Sequence, residues 1–166
     1  MDDHQILKRM QLFSEFYEAE IDAFIRSAIR RAEPAGHVFL SMGTVNSSIF
    51  IICRGSVKVE RFGTADDIPI ATLGVGQSFG EMSFMDGSPA TASVTTAEPT
   101  EVLELSREAV DQMVEGFAPL ALKLWRNLAL VLKQRLAKTN EVIDQYIDIN
   151  QVLLQDHSFR EYYNRL

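Results

Sequence analysis

A glycine-rich segment in the middle of the chain carries the residues best suited to binding a small anion. It runs from Gly76 to Val94 and reads GQSFGEMSFMDGSPATASV. Glycine allows the backbone to approach a ligand closely, and a short helix after Gly80 would present free N–H groups and a positive dipole end to a phosphate. Glu81 can accept hydrogen bonds from sugar hydroxyls, and Thr91 with the N–H groups after it can donate further ones. The segment therefore predicts a site for a ligand that carries phosphate and hydroxyl groups.

Other motifs that could indicate catalysis or metal binding are weaker. The run from Gly76 to Gly80 matches the Gly-x-Ser-x-Gly elbow of hydrolases, but that elbow needs a parallel sheet and a later Asp and His, and His157 is the one downstream histidine. The three histidines are scattered and Cys53 is the single cysteine, so no spacing typical of metal ligands occurs. We therefore predict no enzymatic activity, no metal site and no cofactor.

The elements around this segment change in type along the chain. Apolar residues at three- and four-residue spacing predict helix over residues 4–31, with a restart after Phe13. Pro34 and Gly36 end this region. From His37 to Leu105, short runs of β-branched and aromatic residues alternate with glycines at intervals of about 8–12 residues, which is typical of an antiparallel sandwich or roll. The predicted strands cover residues 38–40, 49–53, 57–62, 68–73, 92–97 and 101–105.

Helix returns after residue 106. A short helix is predicted from Arg107 to Val114, and residues 120–154 contain neither glycine nor proline, which predicts a long helix. Two apolar stripes on this helix need two covering surfaces. One surface could be the β-roll of the chain itself; the other could be the same helix of a second copy, giving a two-fold homodimer, or residues 155–166 folded back. The first stripe is Leu122, Trp125, Ala129, Leu132, Leu136, Ile143, Tyr146 and Leu153, and the second is Leu124, Leu128, Val131, Val142, Ile149 and Val152.

Charge is distributed unevenly along the chain, and the composition argues against some classes of function. The 166 residues include 16 basic and 23 acidic ones, for a net charge of −7. Residues 1–116 carry 9 basic and 18 acidic side chains, whereas residues 117–166 carry 7 and 5. We predict a first domain of N-terminal helices and β-roll over 1–116, and a long helix with a tail, a dimerisation element, over 117–166. The acidic balance argues against nucleic-acid binding, no apolar run reaches a membrane span, and a lone thiol fits the cytoplasm.

The segment from Gly76 to Val94 resembles the phosphate-binding cassette of the cyclic-nucleotide-binding domain. This family includes catabolite-activator-type regulators and protein kinase A regulatory subunits. Phe79-Gly80-Glu81, Pro89 and Thr91-Ala92-Ser93-Val94 match its pattern, and further matches extend over about residues 6–150. The resemblance implies a mainly β fold, namely an antiparallel, jelly-roll-like β-roll with flanking helices and a long C-terminal helix. It also implies a regulatory module that binds cyclic AMP or cyclic GMP.

The resemblance assigns roles to particular residues. Glu81 would take a ribose hydroxyl, and the backbone at residues 81–83 and 91–92 would hold the phosphate. Thr139 matches the threonine of a Thr-Ser pair that contacts adenine, and Asn140 replaces the serine; in a dimer one of the two would come from the partner subunit. Alternatively, they only interrupt the apolar stripe and set its register. The full predicted ligand-binding set is Gly80, Glu81, Met82, Ser83, Ala90, Thr91, Ala92, Arg135, Thr139 and Asn140.

Ala90 departs from the family pattern, because an arginine usually stands there and pairs with the cyclic phosphate. A charge-assisted hydrogen bond contributes about 1.5–3 kcal/mol. Three alternatives follow. Another cation (Arg54, Arg61 or Arg135) reaches the phosphate, or the site takes a different small ligand, or the domain binds no nucleotide and acts as a dimeric protein-interaction scaffold.

The resemblance also implies an output through movement of the long helix, since a ligand that favours one helix position shifts the population towards it. Catabolite-activator-type regulators carry a DNA-binding domain after this helix. About 20 residues remain here, which are too few for one. We therefore expect the signal to pass to a protein partner of unknown identity.

Overall fold

Two four-stranded antiparallel sheets form the centre of the molecule. The computed structural model describes residues 2–61, 68–115 and 118–155. Within these ranges one sheet has the strand order β1-β8-β3-β6 and the other the order β2-β7-β4-β5. The strands are β1 (Ile29–Glu33), β2 (Val38–Leu40), β3 (Ser48–Arg54), β4 (Ser56–Arg61), β5 (Ile68–Gly74), β6 (Ser78–Phe79), β7 (Ser93–Thr96) and β8 (Thr100–Ser106).

Helices come before, between and after the strands along the chain. α1 and α2 precede β1, the short α3 lies between β6 and β7, and α4 and α5 follow β8. Their bounds are α1 (Asp3–Arg9), a 3₁₀ turn (Gln11–Phe13), α2 (Glu18–Ser27), α3 (Glu81–Asp86), α4 (Arg107–Val114) and α5 (Ala118–Gln155). The predicted β-roll with flanking helices and a long C-terminal helix is confirmed.

The core fills the space between the inner faces of the strands. Phe50 and Phe79 stack with ring centroids 4.9 Å apart and an interplanar angle of 10°, and this contact fixes β6 directly before the glycine-rich turn. Burial of such aromatic rings is a large contribution to a core. The clustered buried side chains are Leu40, Phe50, Ile52, Val57, Leu73, Phe79, Val94 and Val102.

The predicted helix over residues 4–31 is wrong at its C-terminal end, whereas the predicted restart after Phe13 is confirmed, since α2 begins at Glu18. α2 ends at Ser27, Ala28 is extended, and β1 pairs with β8 so that Ile29 lies opposite Glu104. The helical spacing of apolar residues continues as far as Ile29, but cross-strand pairing with β8 overrides it. Arg30 and Arg31 then meet acidic side chains of β8 across the strands.

The N-terminal helices are anchored to the first part of α5. Asn127 is buried, and its amide nitrogen donates to the carbonyls of Leu12 at 3.0 Å and Ser14 at 2.7 Å. Lys123 forms an ion pair with Glu20 at 2.8 Å. The two bonds from Asn127 satisfy backbone carbonyls in the break between α1 and α2, as polar groups away from water require.

The chain divides into two compact units within α5. The first ends at Leu128 and the second begins at Ala129. In the first unit, Leu124 and Leu128 of the second predicted stripe are buried, whereas Leu122 of the first stripe is 71% exposed. Within the first unit, the β-roll therefore covers Leu124 and Leu128 of the second stripe. In the part of the chain that the structure describes, no helix combines the length and apolarity needed to cross a membrane.

In the second unit, Leu136 and Ile143 of the first stripe are exposed. Their spacing of seven residues is that of a coiled-coil seam. The alternative in which the C-terminal tail folds back over this stripe concerns residues 156–166, which lie outside the described residues. Coverage by a second copy stays a prediction.

Candidate functional site

A left-handed glycine opens the predicted phosphate-binding cassette. Phe79 ends β6 in the core, and Gly80 follows with φ 84° as the N-cap of α3. A Cβ atom on Gly80 would lie 2.7 Å from the carbonyl oxygen of Ser48, which is far inside van der Waals contact. Both the positive φ and the close approach therefore require glycine here.

Asn46 fixes this turn from the loop before β3. Its amide nitrogen lies 2.5 Å from the carbonyl oxygen of Ser48 and 3.3 Å from that of Gly80, and its amide oxygen accepts the N–H of Ser48 at 3.2 Å. One side chain thus joins the edge of the sheet to the start of α3. Sequence analysis missed Asn46, because a single Asn in a loop gives no signal of a partner 34 residues away.

α3 places a carboxyl group inside the protein and a thioether outside. Glu81 is 3% exposed and Ser83 is equally buried, whereas Met82 is 52% exposed. The first-turn N–H groups of a helix have no acceptor within the helix, so those of residues 81–83 can serve a ligand. Gly87 ends α3 in a left-handed conformation, with its N–H group 2.7 Å from the carbonyl oxygen of Ser83.

The chain then returns to the sheet through Ala90. The N–H group of Ala90 donates to the carbonyl of Thr44 at 2.8 Å, and its carbonyl accepts the N–H of Gly43 at 2.8 Å. Its side chain is 7% exposed. The hydroxyl of Thr91 lies 4.0 Å from the sulfur of Met82. The structure therefore brings α3 into contact with the segment that leads into β7. Ala92 follows in this segment and is half-buried.

The cations considered as substitutes for the missing arginine differ in their surroundings. Arg54 ends β3, is largely exposed, and pairs with Glu101 of β8 at 3.6 Å. Arg61 ends β4 opposite Ile68 of β5. Neither of these contacts involves a residue of the cassette. A contact between phosphate and Arg54 or Arg61 stays a prediction.

Arg135, Thr139 and Asn140 lie on α5 in the second unit. Thr139 and Asn140 are exposed, and Arg135 is half-buried. The hydroxyl of Thr139 donates to the carbonyl of Arg135 one turn earlier at 3.0 Å, which leaves the lone pairs of its oxygen able to accept. A contact of Thr139 and Asn140 with adenine stays a prediction.

Arg107 holds the other end of α3, and sequence analysis missed it too. Its guanidinium donates to the carbonyls of Phe84 and, at 3.1 Å, Met85. The guanidinium carbon lies 5.5 Å from the centre of the Phe84 ring and 5.2 Å from that of Trp125. Both ends of α3 are therefore tied to neighbouring elements, by Asn46 at the start and by Arg107 at the end.

The thiol of Cys53 on β3 and the carboxyl of Asp86 on α3 have shifted pKa values. Burial raises the pKa of the Cys53 thiol from 9.0 to about 11, with the negative charge of Asp3 adding to the shift. The pKa of Asp86, at the end of α3, is lowered by hydrogen bonds from Ser88. Among the residues that the structure describes, no group of three or more His, Cys, Asp or Glu side chains is placed to hold a metal ion.

Comparisons with known proteins give a family match. The family model of the cyclic nucleotide-binding domain matches residues 30–117. The cyclic AMP receptor protein of Thermus thermophilus is 29% identical over 139 residues, which are 83% of this chain and 62% of that protein. A cyclic nucleotide-gated potassium channel of Rhizobium etli is 35% identical over 127 residues, which are 76% of this chain and 34% of the channel.

Solved structures give the same similarity. A cyclic nucleotide-binding domain from Methylobacillus flagellatus superposes with a TM-score of 0.78 at 27% identity, over 86% of this chain and 80% of that one. The chain spans less than two thirds of the length of both the receptor protein and the channel. The similarity therefore concerns the roll and its flanking helices.

Proposed function

The chain belongs to the cyclic nucleotide-binding domain family, and from this premise we propose that it binds cyclic AMP and regulates a protein partner. The observation that carries the proposal is the turn at Gly80, which lies within the matched residues and places the carboxyl of Glu81 inside the protein. The role is regulatory rather than catalytic. The lone thiol further favours action in the cytoplasm.

In the proposed complex, the ribose and the phosphate bind to different parts of the cassette. A ribose hydroxyl donates to the carboxylate of Glu81. The phosphate oxygens accept N–H groups from residues 81–83 and from Thr91 and Ala92, with the Thr91 hydroxyl as a further donor. Because Ala90 offers no charge, these neutral donors carry the phosphate, and we expect weaker binding than an arginine would give.

The adenine contacts are assigned to α5. The oxygen of Thr139 can accept the exocyclic amine of adenine, and the amide of Asn140 can both donate to and accept from the base. Both side chains are exposed on the helix, as a ligand contact requires. In a homodimer one of the two would come from the second copy, so ligand binding and helix pairing would depend on each other.

The dimer is the second part of the proposal. Leu122, Leu136 and Ile143 are exposed large apolar side chains, separated by multiples of seven residues along α5. A second copy of α5 would bury them in a coiled-coil seam, which makes residues 117–166 the dimerisation element.

Isothermal titration with cyclic AMP and cyclic GMP tests the proposed ligand. We expect saturable heat with cyclic AMP at a Kd below about 100 µM and weaker binding of cyclic GMP. Glu81→Gln keeps the size of the side chain but removes its charge, and should raise the Kd at least about tenfold. The matched control is Glu108→Gln, an exposed glutamate on α4, which should leave the Kd unchanged.

The titration also has a clear negative outcome. Absence of heat at millimolar concentrations of both nucleotides, with the protein folded by circular dichroism, would refute the nucleotide site and leave the interaction scaffold. An equal Kd for wild type and Glu81→Gln would refute the role of Glu81 alone.

A further inference from the structure

Arg107 contacts three separate elements of the roll unit. Its backbone N–H donates to the carbonyl of Ser47 at 2.8 Å, in the loop that also carries Asn46. Its guanidinium donates to two carbonyls at the end of α3 and lies over the ring of Trp125 on α5. Ser106 caps α4 through the N–H of Ala109 at 3.1 Å, which fixes the backbone from which the arginine extends.

The chemistry of these contacts requires a guanidinium. The carbonyls of Phe84 and Met85 lie in the last turn of α3, where the helix itself supplies no donors, and a cation there also complements the helix dipole. The guanidinium carbon lies over the Phe84 and Trp125 rings, whose centroids are 6.2 Å apart, while one nitrogen of the group donates hydrogen bonds to the two carbonyls. A lysine ammonium cannot do both at once.

The guanidinium also has an acidic neighbour. Asp111, one turn along α4, approaches the Nε atom of Arg107 at 3.6 Å and is exposed. The bonds to the α3 carbonyls come from a different atom, Nη1. Phe84 is buried, so α3 cannot shift without either breaking its hydrogen bonds to Arg107 or displacing the guanidinium from the indole of Trp125.

On the basis of the proposed function, we infer that Arg107 is a positioning residue that couples the cassette helix to the first part of α5. A ligand held by the N–H groups at the start of α3 changes the position of its last turn, and Arg107 passes that change to Trp125. The arginine touches no ligand itself. Its role is to make the position of α5 depend on the state of the cassette.

Trp125 provides the readout, because it is the single tryptophan of the chain. In the wild type, cyclic AMP should change the tryptophan emission with the same midpoint as the heat of binding. Arg107→Met keeps much of the side-chain length but removes the charge and the donors. This variant should still bind with measurable heat, while its ligand-induced emission change falls at least about fivefold.

Arg126→Met is the matched control. Arg126 is the neighbour of Trp125 and pairs with Glu15, so the same substitution occurs beside the reporter without a described contact to α3. It should keep the full emission change. Arg107→Lys retains a charge but loses the planar guanidinium, and should give an intermediate amplitude. It replaces Arg107→Met in the test if circular dichroism shows that Arg107→Met does not fold.

The outcomes separate this inference from the proposed function. A full emission change in folded Arg107→Met, or heat without any emission change in the wild type, would overturn the coupling role. Absence of heat in every variant would instead refute nucleotide binding. In that case, a measurement without ligand tests the contact between Arg107 and α3. Hydrogen exchange of the α3 amides should be faster in Arg107→Met than in the wild type and unchanged in Arg126→Met. Equal rates in the two variants would overturn the positioning role of Arg107.

Discussion

Ala90 stands at the position where the family pattern of the cassette has an arginine. Its backbone N–H and carbonyl are both bonded to the loop at Gly43 and Thr44, so the main chain is held whatever side chain it carries. Restoring a guanidinium at a fixed backbone position should therefore add a charge-assisted bond to phosphate without moving the loop.

Ala90→Arg should lower the Kd for cyclic AMP by about ten- to a hundredfold, as a charge-assisted hydrogen bond predicts. Isothermal titration measures the effect. Ala90→Met is the control, because it adds comparable bulk at a buried position without charge. A Kd for Ala90→Arg no lower than that of Ala90→Met would show that the phosphate is not held beside residue 90.

Cys53 gives a prediction about pH at the same scale. Burial raises its pKa from 9.0 to about 11, so the unfolded chain ionises first as pH rises. The stabilising effect of the neutral thiol is therefore complete below pH 9.0 and is lost towards about pH 11. At pH 8 the native protein should react with iodoacetamide about a hundredfold more slowly than the protein in guanidinium.

Mass spectrometry of the alkylated chain gives both rates, and the single cysteine makes the assignment unambiguous. Free N-acetylcysteine in the same guanidinium solution controls for the effect of denaturant on the reagent. Equal rates in the native and unfolded protein would show that the thiol is not protected by burial.

At the scale of elements, the break between α1 and α2 depends on one buried amide of α5. Asn127→Ala removes the donor to the carbonyls of Leu12 and Ser14 and leaves a buried and a half-buried acceptor without this partner. We expect a loss of about 2–3 kcal/mol in the free energy of unfolding, measured by urea denaturation. Asn140→Ala, an exposed asparagine on the same helix, should change it by less than about 0.5 kcal/mol. Similar losses in the two variants would contradict the anchoring role of Asn127.

The elements themselves were largely predictable, since most are bounded by strong local signals. The helix from Arg107 to Val114 follows a strand that ends at a capping serine, and glycines separate most of the strands. β1 was missed because Ile29 continues a helical spacing, and only its pairing with β8 makes it a strand. β6 has two residues, too few for any periodicity to show.

The site was predictable only where its residues are neighbours in sequence. The turn at Gly80 and the short α3 follow from one continuous segment. Asn46 and Arg107 hold that segment from 34 and 23 residues away, through an amide and a guanidinium that have no distinctive sequence context. Such contacts depend on the closed roll, and a single sequence carries no record of them.

At the scale of the whole molecule, one domain type is combined with different outputs among the relatives. A receptor protein and a potassium channel each contain a region similar to this chain, and each extends well beyond it. Because the roll resembles both, its residues do not identify the partner. The output surface should instead be sought on α5, where large apolar side chains are exposed.

Leu136→Glu tests whether those side chains pair two copies of the chain. A carboxylate at this position would be placed in the seam of a coiled coil and would repel its symmetry mate, so the protein should change from dimer to monomer in sedimentation equilibrium. Ala137→Glu adds the same charge to the neighbouring exposed position outside the stripe and should remain dimeric. A wild type that sediments as a monomer, or an unchanged mass in Leu136→Glu, would exclude this stripe as the interface. If adenine is read across the dimer, Leu136→Glu should also weaken cyclic AMP binding, while Ala137→Glu should not.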